Sequence, residues 1–322
     1  MLDAPVSVGS DVILTSIRAA GGRFFHRLSK DGISVGLSLV RRTLFGESLA
    51  ATIAGHLEVE RLFTSSQVQP LLKHLPHFSN KYLSVYLAKT FNKAARRISL
   101  LHHYRFFAKR TKSNFYEKIV GRRVVLWEGA SENHRFAIAL SFHVWHNEGD
   151  LSLIFIRDDV SLSQLSFTVI PGMLIGIESG DTMLIGCVQG AKNQFVSVRE
   201  ATKECHDIAP AHLLMVAAQS VACKLSIESI AGVSNTEQLT KTAGEQDVMF
   251  DYDAFWNVFL AEKTQSGFFK MTVPLRQKPI EMIRIDHRRR TRRKRQFKQR
   301  VADEVAREFA TAFLDIGGVV TL

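Results

Sequence analysis

Cysteine is scarce in this chain: Cys187, Cys205 and Cys223 are all there is, 18 positions apart at each step. With no close pair among them they offer neither a disulfide framework nor a zinc knuckle, and buried thiols in a reducing compartment are the ordinary reading. Proline is also sparse, at 7 of 322 residues, which leaves no Pro-rich linker. Long apolar runs are missing. No window holds the roughly 18 uninterrupted apolar residues that a bilayer-spanning helix needs, so any membrane association is expected to be peripheral. Asp3 precedes the first apolar run, and Ser7, Ser10 and Asp11 interrupt it, so no cleaved secretion signal is expected. A hydrophobic share of 46% with 23% charged residues excludes disorder over most of the chain. These absences point to a cytoplasmic globular protein, built as one large domain with a helical addition or as two domains.

What is plentiful is positive charge, in one place. Residues 284–300 read RIDHRRRTRRKRQFKQR, ten Lys or Arg against the single acid Asp286. Of the formal net charge of +11, nine units sit there and two remain for the other 305 residues. The chain is a near-neutral body with one cationic stripe. Such a stripe attracts phosphate, in lipid headgroups or in nucleic acid, through a field that salt weakens. Arg288, Arg289, Arg292, Arg293 and Arg295 are the candidate anionic-surface residues. An anionic lipid surface or an envelope-associated protein is the favoured partner. Nucleic acid ranks lower, because no zinc finger or aromatic single-strand-binding motif is present.

The first 120 residues read mainly as helices, around 34–45, 49–63, 81–91 and 94–109, with Pro70 and Pro76 as punctuation. In the last of these Ile98, Leu101, Tyr104 and Phe107 or Ala108 recur at three- or four-residue steps, a core stripe. After Gly121 the period shortens to that of strands at 124–127, 136–142, 151–156, 162–170 and 183–188. Spacing this tight makes an antiparallel meander, because parallel strands need longer crossovers. Pro210 starts a helix, a role its missing N–H allows. That helix can carry residues 229–233 into the sheet as a parallel strand. A helix at 251–261 and a final strand at 268–273 follow. Phe297, Val301, Val305, Phe309 and Phe313 fall at four-residue steps, so 281–313 is helical, as one bent helix or two, with one face packed and the basic face exposed. The expected regions are helical (1–120), mixed α/β (121–280) and basic helical (281–322).

Several motifs occur in order: HHYRF at 102–106, EGDLSL at 148–153, IGCVQG at 185–190, ATKECH at 201–206 and DYDAFW at 251–256. In this combination the chain resembles the bacterial VirK/YbjX family over about residues 40–300. One stretch departs from the family pattern. Where members read His-Gly-Leu-Arg-Pro-Lys, this chain has HDIAPAH at 206–212, without the glycine and the two basic residues. The resemblance implies an accessory role in virulence, envelope function or antimicrobial-peptide tolerance, in a cytoplasmic protein at or near the inner membrane, and it identifies no reaction. The order of elements is in turn similar to the plan of GCN5-related acyltransferases. The implied fold is α+β, a mainly antiparallel sheet of acyltransferase-like type with flanking helices and a helical N-terminal region. In that plan an acyl thioester such as acyl-CoA lies along a splayed strand edge, here 185–189, with its pyrophosphate at the next helix start, here 209–213. The chain lacks the glycine-rich pyrophosphate loop of that plan.

The residue types support a matching set of candidates. Gly190 permits close backbone approach, Gln189 and Lys203 suit cofactor binding, and His206 exchanges protons near neutrality. Glu148 and Asp150, two apart, would share a face if extended and would then serve as a carboxylate pair for proton transfer. The catalytic candidates are therefore His206, Glu148 and Asp150. No metal is expected, and the cofactor reading is none or, in the alternative, the acyl thioester.

Overall fold

The structure, a computed structural model, describes residues 49–76, 78–142, 147–178, 180–239 and 250–315. The expected helix at 34–45 lies outside them. The chain forms two compact units, Met1–Arg61 and Leu62–Leu322. The described part of the first unit is most of α1 (Leu49–Phe63), in which His56 and Glu60 pair one turn apart at 3.7 Å. All that follows concerns the second unit.

Three helical pieces open it: α2 (Gln69–His74), α3 (Lys93–Arg110) and α4 (Phe115–Ile119). Pro70 sits in the first turn of α2, and the Asn92 side chain caps α3 by accepting from the Ala95 N–H at 2.9 Å. The segment expected to be helical at 81–91 is instead a 3₁₀ turn, Phe78–Leu83, followed by irregular chain that passes through a left-handed Leu87. Its apolar residues Tyr86, Leu87, Ala88 and Phe91 are buried without helical spacing, which a periodicity argument cannot separate from a short helix.

The meander follows as β1 (Arg123–Ala130), β2 (Arg135–Phe142), β3 (Leu151–Arg157), β4 (Val160–Pro171) and β5 (Asp181–Gly190), each antiparallel to its neighbour. Asp158 and Asp159 both have positive φ, 47° and 67°, the two-residue turn whose twist matches that of the flanking strands. Next come α5 (Phe195–Glu204), α6 (Pro210–Lys224) and β6 (Ser229–Gly232). The α6 crossover brings β6 parallel to β5, from Thr182 opposite Ser229 to Ile185 opposite Gly232. Then α7 (Tyr252–Val258), the short β7 (Glu262–Lys263) and β8 (Phe269–Thr272) complete an eight-stranded sheet of order β1-β2-β3-β4-β5-β6-β8-β7. The class is α+β with a mostly antiparallel sheet.

Every residue of β3 is buried, so both faces of the sheet are covered, and α3 and α6 both lie against β4. The chain ends in α8 (Ile285–Phe313), a single 29-residue helix preceded by a 3₁₀ turn at Ile280–Met282. It lies on α6 and β1 and buries Val301, Val305, Phe309 and Phe313. Its C-terminal carbonyls are closed by cations from the α3–α4 region. Lys112 Nζ donates to Thr311 O at 2.8 Å and Lys118 Nζ to Ala312 O at 2.9 Å, which also suits the negative end of the helix dipole. The C-terminal half of α8 is thus anchored, and the N-terminal half carries the charge.

Candidate functional site

The motif residues separate into three places. The first surrounds Asp150. Just before β3, the EGD turn presses Gly149 so closely on β4 that a Cβ there would collide with the Phe167 amide and the Ser166 backbone. Asp150 then points inward. Its Oδ1 accepts from Lys81 Nζ at 2.9 Å and Tyr104 Oη at 3.1 Å, and its Oδ2 from Thr168 Oγ1 at 2.7 Å and the Tyr86 hydroxyl. Four donors fill the four acceptor positions of a carboxylate. Burial raises the pKa of Asp150, but the Lys81 ammonium, His103 and the Tyr86 hydrogen bond outweigh it and hold the carboxyl at about 2. Burial, and then Asp150 itself, push the Tyr86 and Tyr104 phenols well above their ordinary range, so both remain donors. Beside them His103 accepts from the Val169 N–H through Nδ1 at 3.0 Å, and burial drives its pKa down to about 4. Among the described residues its Nε2 and the Tyr116 hydroxyl have no hydrogen-bond partner. This arrangement fixes α3, the 3₁₀ turn and the EGD turn to one another.

The second place is where β5 and β6 part. Their ladder runs from Thr182 to Ile185, and the Val233 N–H adds one more bond to Ile185 O. On the other side of β5 the register slips between Cys187 and Ile185, leaving Gly186 as the extra residue of a bulge. Gly186 is required there, because a Cβ would fall inside contact distance of the Glu148 carbonyl. Beyond the bulge, the Val188 N–H donates to Tyr252 Oη at 3.1 Å, and that hydroxyl lies 3.4 Å from Val188 O. A side chain from α7 thus occupies the edge that β6 leaves. The Cys187 thiol is pushed well up by burial and then by the neighbouring Glu148 carboxylate. Glu148, Cys187 and Tyr252 are all buried. Glu148 therefore faces β5 and α7 while Asp150 faces α3, and the two carboxylates do not share a face.

Gln189 and Gly190 end β5 opposite Gln164 and Ser163, and Ser163 Oγ donates to Gln189 O at 3.2 Å. Lys203 is exposed on α5. His206 packs its ring on Phe297 of α8, with centroids 4.7 Å apart. Among the described residues no hydrogen bond joins His206 to Glu148, Asp150, Gln189 or Lys203. His206 and Asp207 both have left-handed backbone, φ 59° and 56°, a conformation that glycine adopts at least cost. Asp207 instead receives Arg290 at 2.7 Å, and its carbonyl receives Lys294 at 2.8 Å. Lys294 and Lys298 of α8 also flank His212 in the first turn of α6, where burial and then Lys298 and Lys294 lower the imidazole to about 4.

The third place is the outer side of α8. Arg288 donates to the carbonyls of Ile283 at 2.9 Å and Glu281 at 2.8 Å, and Arg295 donates to Lys278 O. Among the described residues Arg290 is the arginine of the stripe that meets a carboxylate from elsewhere in the fold, and Arg284 meets its own Asp286 at 2.9 Å. Arg289, Arg292 and Arg293 are exposed, with no hydrogen bond or ion pair among the described residues. Helical periodicity puts them on the side of Ile285, which is 80% exposed, and Met282 just before the helix is 76% exposed. The exposure of Ile285 and Met282 had no signal in the sequence, where the packed side of 281–313 was marked from Phe297 onward. Nor were Lys81, Tyr86, Cys187 or Tyr252 legible as polar partners of the EGD motif. Their separations, 69 positions for Lys81 and Asp150 and 64 for Tyr252 and Val188, leave no local signal.

No helix among the described residues is long and apolar enough to cross a membrane, and no group of three or more His, Cys, Asp or Glu among them is arranged to hold a metal. No solved structure matches the chain. A curated protein of Escherichia coli (strain K12), "Uncharacterized protein YbjX", is 25% identical over 254 residues, covering 76% of this chain and 74% of its own. The family model described as "Protein of unknown function (DUF535)" matches residues 49–307. With most of its length inside that match, and with this similarity to YbjX, the chain belongs to the DUF535 family of VirK/YbjX-type proteins.

Proposed function

We propose that this protein docks on an anionic membrane surface through the N-terminal half of α8, as a cytoplasmic accessory protein of the cell envelope. The observation that carries this reading is the trio Arg289, Arg292 and Arg293, exposed and without partners among the described residues, on the same side as the exposed Ile285. Packing of Val301, Val305, Phe309 and Phe313 holds the stripe on a rigid helix. Each such cation near an anionic leaflet contributes about 1 kcal/mol, so three give roughly a hundredfold preference for anionic over neutral lipid. An apolar pair at the helix entry fits the boundary between headgroups and acyl chains. A role in virulence, envelope protein handling or antimicrobial-peptide tolerance is consistent with such a location.

Vesicle co-sedimentation of the full chain at low and physiological salt tests the proposal. Binding to vesicles containing phosphatidylserine or phosphatidylglycerol that weakens with salt, with little binding to pure phosphatidylcholine, is expected. Equal retention on both vesicle types, or none, contradicts it. Preferential capture by nucleic acid at physiological salt would redirect the stripe to the alternative partner.

A second reading is acyl transfer from a thioester donor such as acyl-CoA. The parting of β5 from β6 beyond Ile185, beside the Gly186 bulge, favours it, because backbone groups of β5 are then free of strand pairing. The uncapped start of α6 lies near Lys294 and Lys298, which would suit a phosphate. Within this reading Gln189, Gly190 and Lys203 border the donor, and His206 and Glu148 are the proton-transfer candidates, while Asp150 anchors the turn that carries Glu148. The Tyr252 hydroxyl sits on Val188 and must move for a donor amide to bind there. Calorimetric titration of acetyl-CoA tests it: binding strengthened in Tyr252→Phe supports the reading, and no heat in either protein removes it.

A further inference from the structure

The outer face of α5 carries a combination of residues that the fold does not use. Phe195 is 74% and Val196 71% exposed in its first turn. Helical spacing sets Arg199 and Lys203 on the same side, one and two turns further on, and both are exposed. Among the ten residues of the helix Ala201 alone is fully buried. The carboxylates of the helix are engaged elsewhere. Glu200 Oε2 accepts from Arg157 at 2.8 Å and Glu204 Oε2 from Ser131 at 2.6 Å. Arg199 and Lys203 close no salt bridge among the described residues. The outward face is therefore aromatic, aliphatic and cationic; Glu200 borders it, half-exposed and paired with Arg157, and Glu204 turns to Ser131.

An adjacent exposed Phe and Val on a single turn are unusual on a water-facing helix, whose outer positions are ordinarily polar. Two cations on the same face exclude a purely apolar groove as the natural partner. They match a boundary that is anionic outside and apolar beneath, which is the chemistry of an anionic bilayer. The helix also leads within three residues to Asp207, which Arg290 and Lys294 of α8 hold at 2.7 and 2.8 Å through its carboxylate and carbonyl. The two basic elements are thus tied together by one short segment.

We propose that the outer face of α5 is a second membrane contact, in which Phe195 and Val196 enter the acyl boundary of an anionic bilayer while Arg199 and Lys203 meet lipid phosphates. This inference rests on the docking reading of α8 and adds an insertion step to it. Electrostatic attraction by α8 and by Arg199 and Lys203 is then sensitive to salt, whereas insertion of Phe195 and Val196 is not.

The test uses the full-length protein and vesicles of phosphatidylcholine with phosphatidylserine. Phe195→Ser/Val196→Ser is expected to weaken binding roughly 10- to 100-fold at both low and physiological salt, since two apolar side chains lose their transfer from water. Both positions are exposed, so the fold does not depend on them. In parallel, Phe195→Trp is measured with vesicles of brominated lipid, read as the difference from the unmodified protein, and quenching is expected on binding. Salt-sensitive binding that is unchanged by the double substitution, with no quenching, overturns the α5 inference and leaves α8 docking intact. No vesicle binding by the unmodified protein removes both. Self-association that the double substitution abolishes, without any effect on vesicles, assigns the face to a second copy of the chain and overturns the inference.

Discussion

Replacing Lys81 by Met isolates the ion pair at the centre of the fold. The substitution removes an ammonium 2.9 Å from Asp150 Oδ1 and 3.0 Å from Gly149 O, and keeps an apolar stem of similar reach. The three donors left to the carboxylate, Tyr86, Tyr104 and Thr168, are neutral. Both members of the pair are buried at their side chains, 7% and 0% exposed, so solvent cannot take over the role of the lost cation. Removing one partner of such a pair costs about 3–5 kcal/mol. A second route gives a floor. Asp150 titrates at about 2 in the fold against 3.8 in its ordinary state, and a displacement of that size is worth about 2–3 kcal/mol at neutral pH. That figure already contains the opposing effect of burial, which loses its largest counterweight once Lys81 is gone. Lys81→Met should therefore lower stability by about 3–4 kcal/mol in urea denaturation at pH 7.

The pH dependence sharpens the test. In the unmodified protein the depressed pKa of Asp150 contributes stability that is present above 3.8 and lost as pH falls towards 2. In Lys81→Met the carboxyl loses its largest charge partner and its pKa rises above that in the unmodified protein, so protonating Asp150 relieves the variant at a higher pH and the gap between the two proteins narrows in acid. Lys81→Met/Asp150→Leu should recover part of the loss, because it leaves no unpaired charge. A cost below about 1 kcal/mol, or a gap independent of pH, refutes the reasoning.

Three other outcomes follow from the same structure. His103, held at about 4 against 6.5 by burial, contributes up to about 3 kcal/mol that is present above pH 6.5 and lost as pH falls to 4; His103→Asn, which keeps an acceptor for the Val169 N–H, should flatten the stability slope across that window, and an unaltered slope would contradict the assignment. Gly186→Ala should cost about 2–3 kcal/mol by forcing the Glu148 carbonyl away from β5, with a normal melting temperature as the contrary result. Tyr252→Phe should cost about 1–2 kcal/mol and speed hydrogen exchange at the Val188 amide, which loses its partner; unchanged protection there would show that the hydroxyl does not close the strand edge.

The sheet was legible from its spacing. Runs at 124–127, 136–142, 151–156, 162–170 and 183–188 each sit inside an observed strand, because short apolar runs between turn residues leave a meander few alternatives. The parallel entry of β6 followed from Pro210 and the helix behind it, and the four-residue steps from Val301 to Phe313 marked the buried side of α8. Less legible were elements whose apolar residues face outward. The start of α5 presents Phe195 and Val196 to solvent, so no amphipathic pattern announced a helix. Ile98 was read as part of a core stripe and is exposed, while Leu101, Tyr104 and Phe107 on the same helix are buried. The EGD carboxylates diverge because Gly149 is pinned against β4, a tertiary contact that a two-residue spacing does not encode. Partners such as Lys81 and Tyr252 come from distant segments, and pairwise chemistry at that range appears once the chain is folded.

Vesicle affinity of a charge-reversed α8 tests the docking proposal most directly. Arg289→Glu/Arg292→Glu/Arg293→Glu is compared, at one salt concentration, with a control carrying the same change of net charge at the exposed Arg122, Arg123 and Arg135. The proposal predicts at least a hundredfold loss for the α8 variant and a much smaller loss for the control. Equal losses in the two would mean that overall charge, and not the arginine face of α8, draws the protein to the membrane.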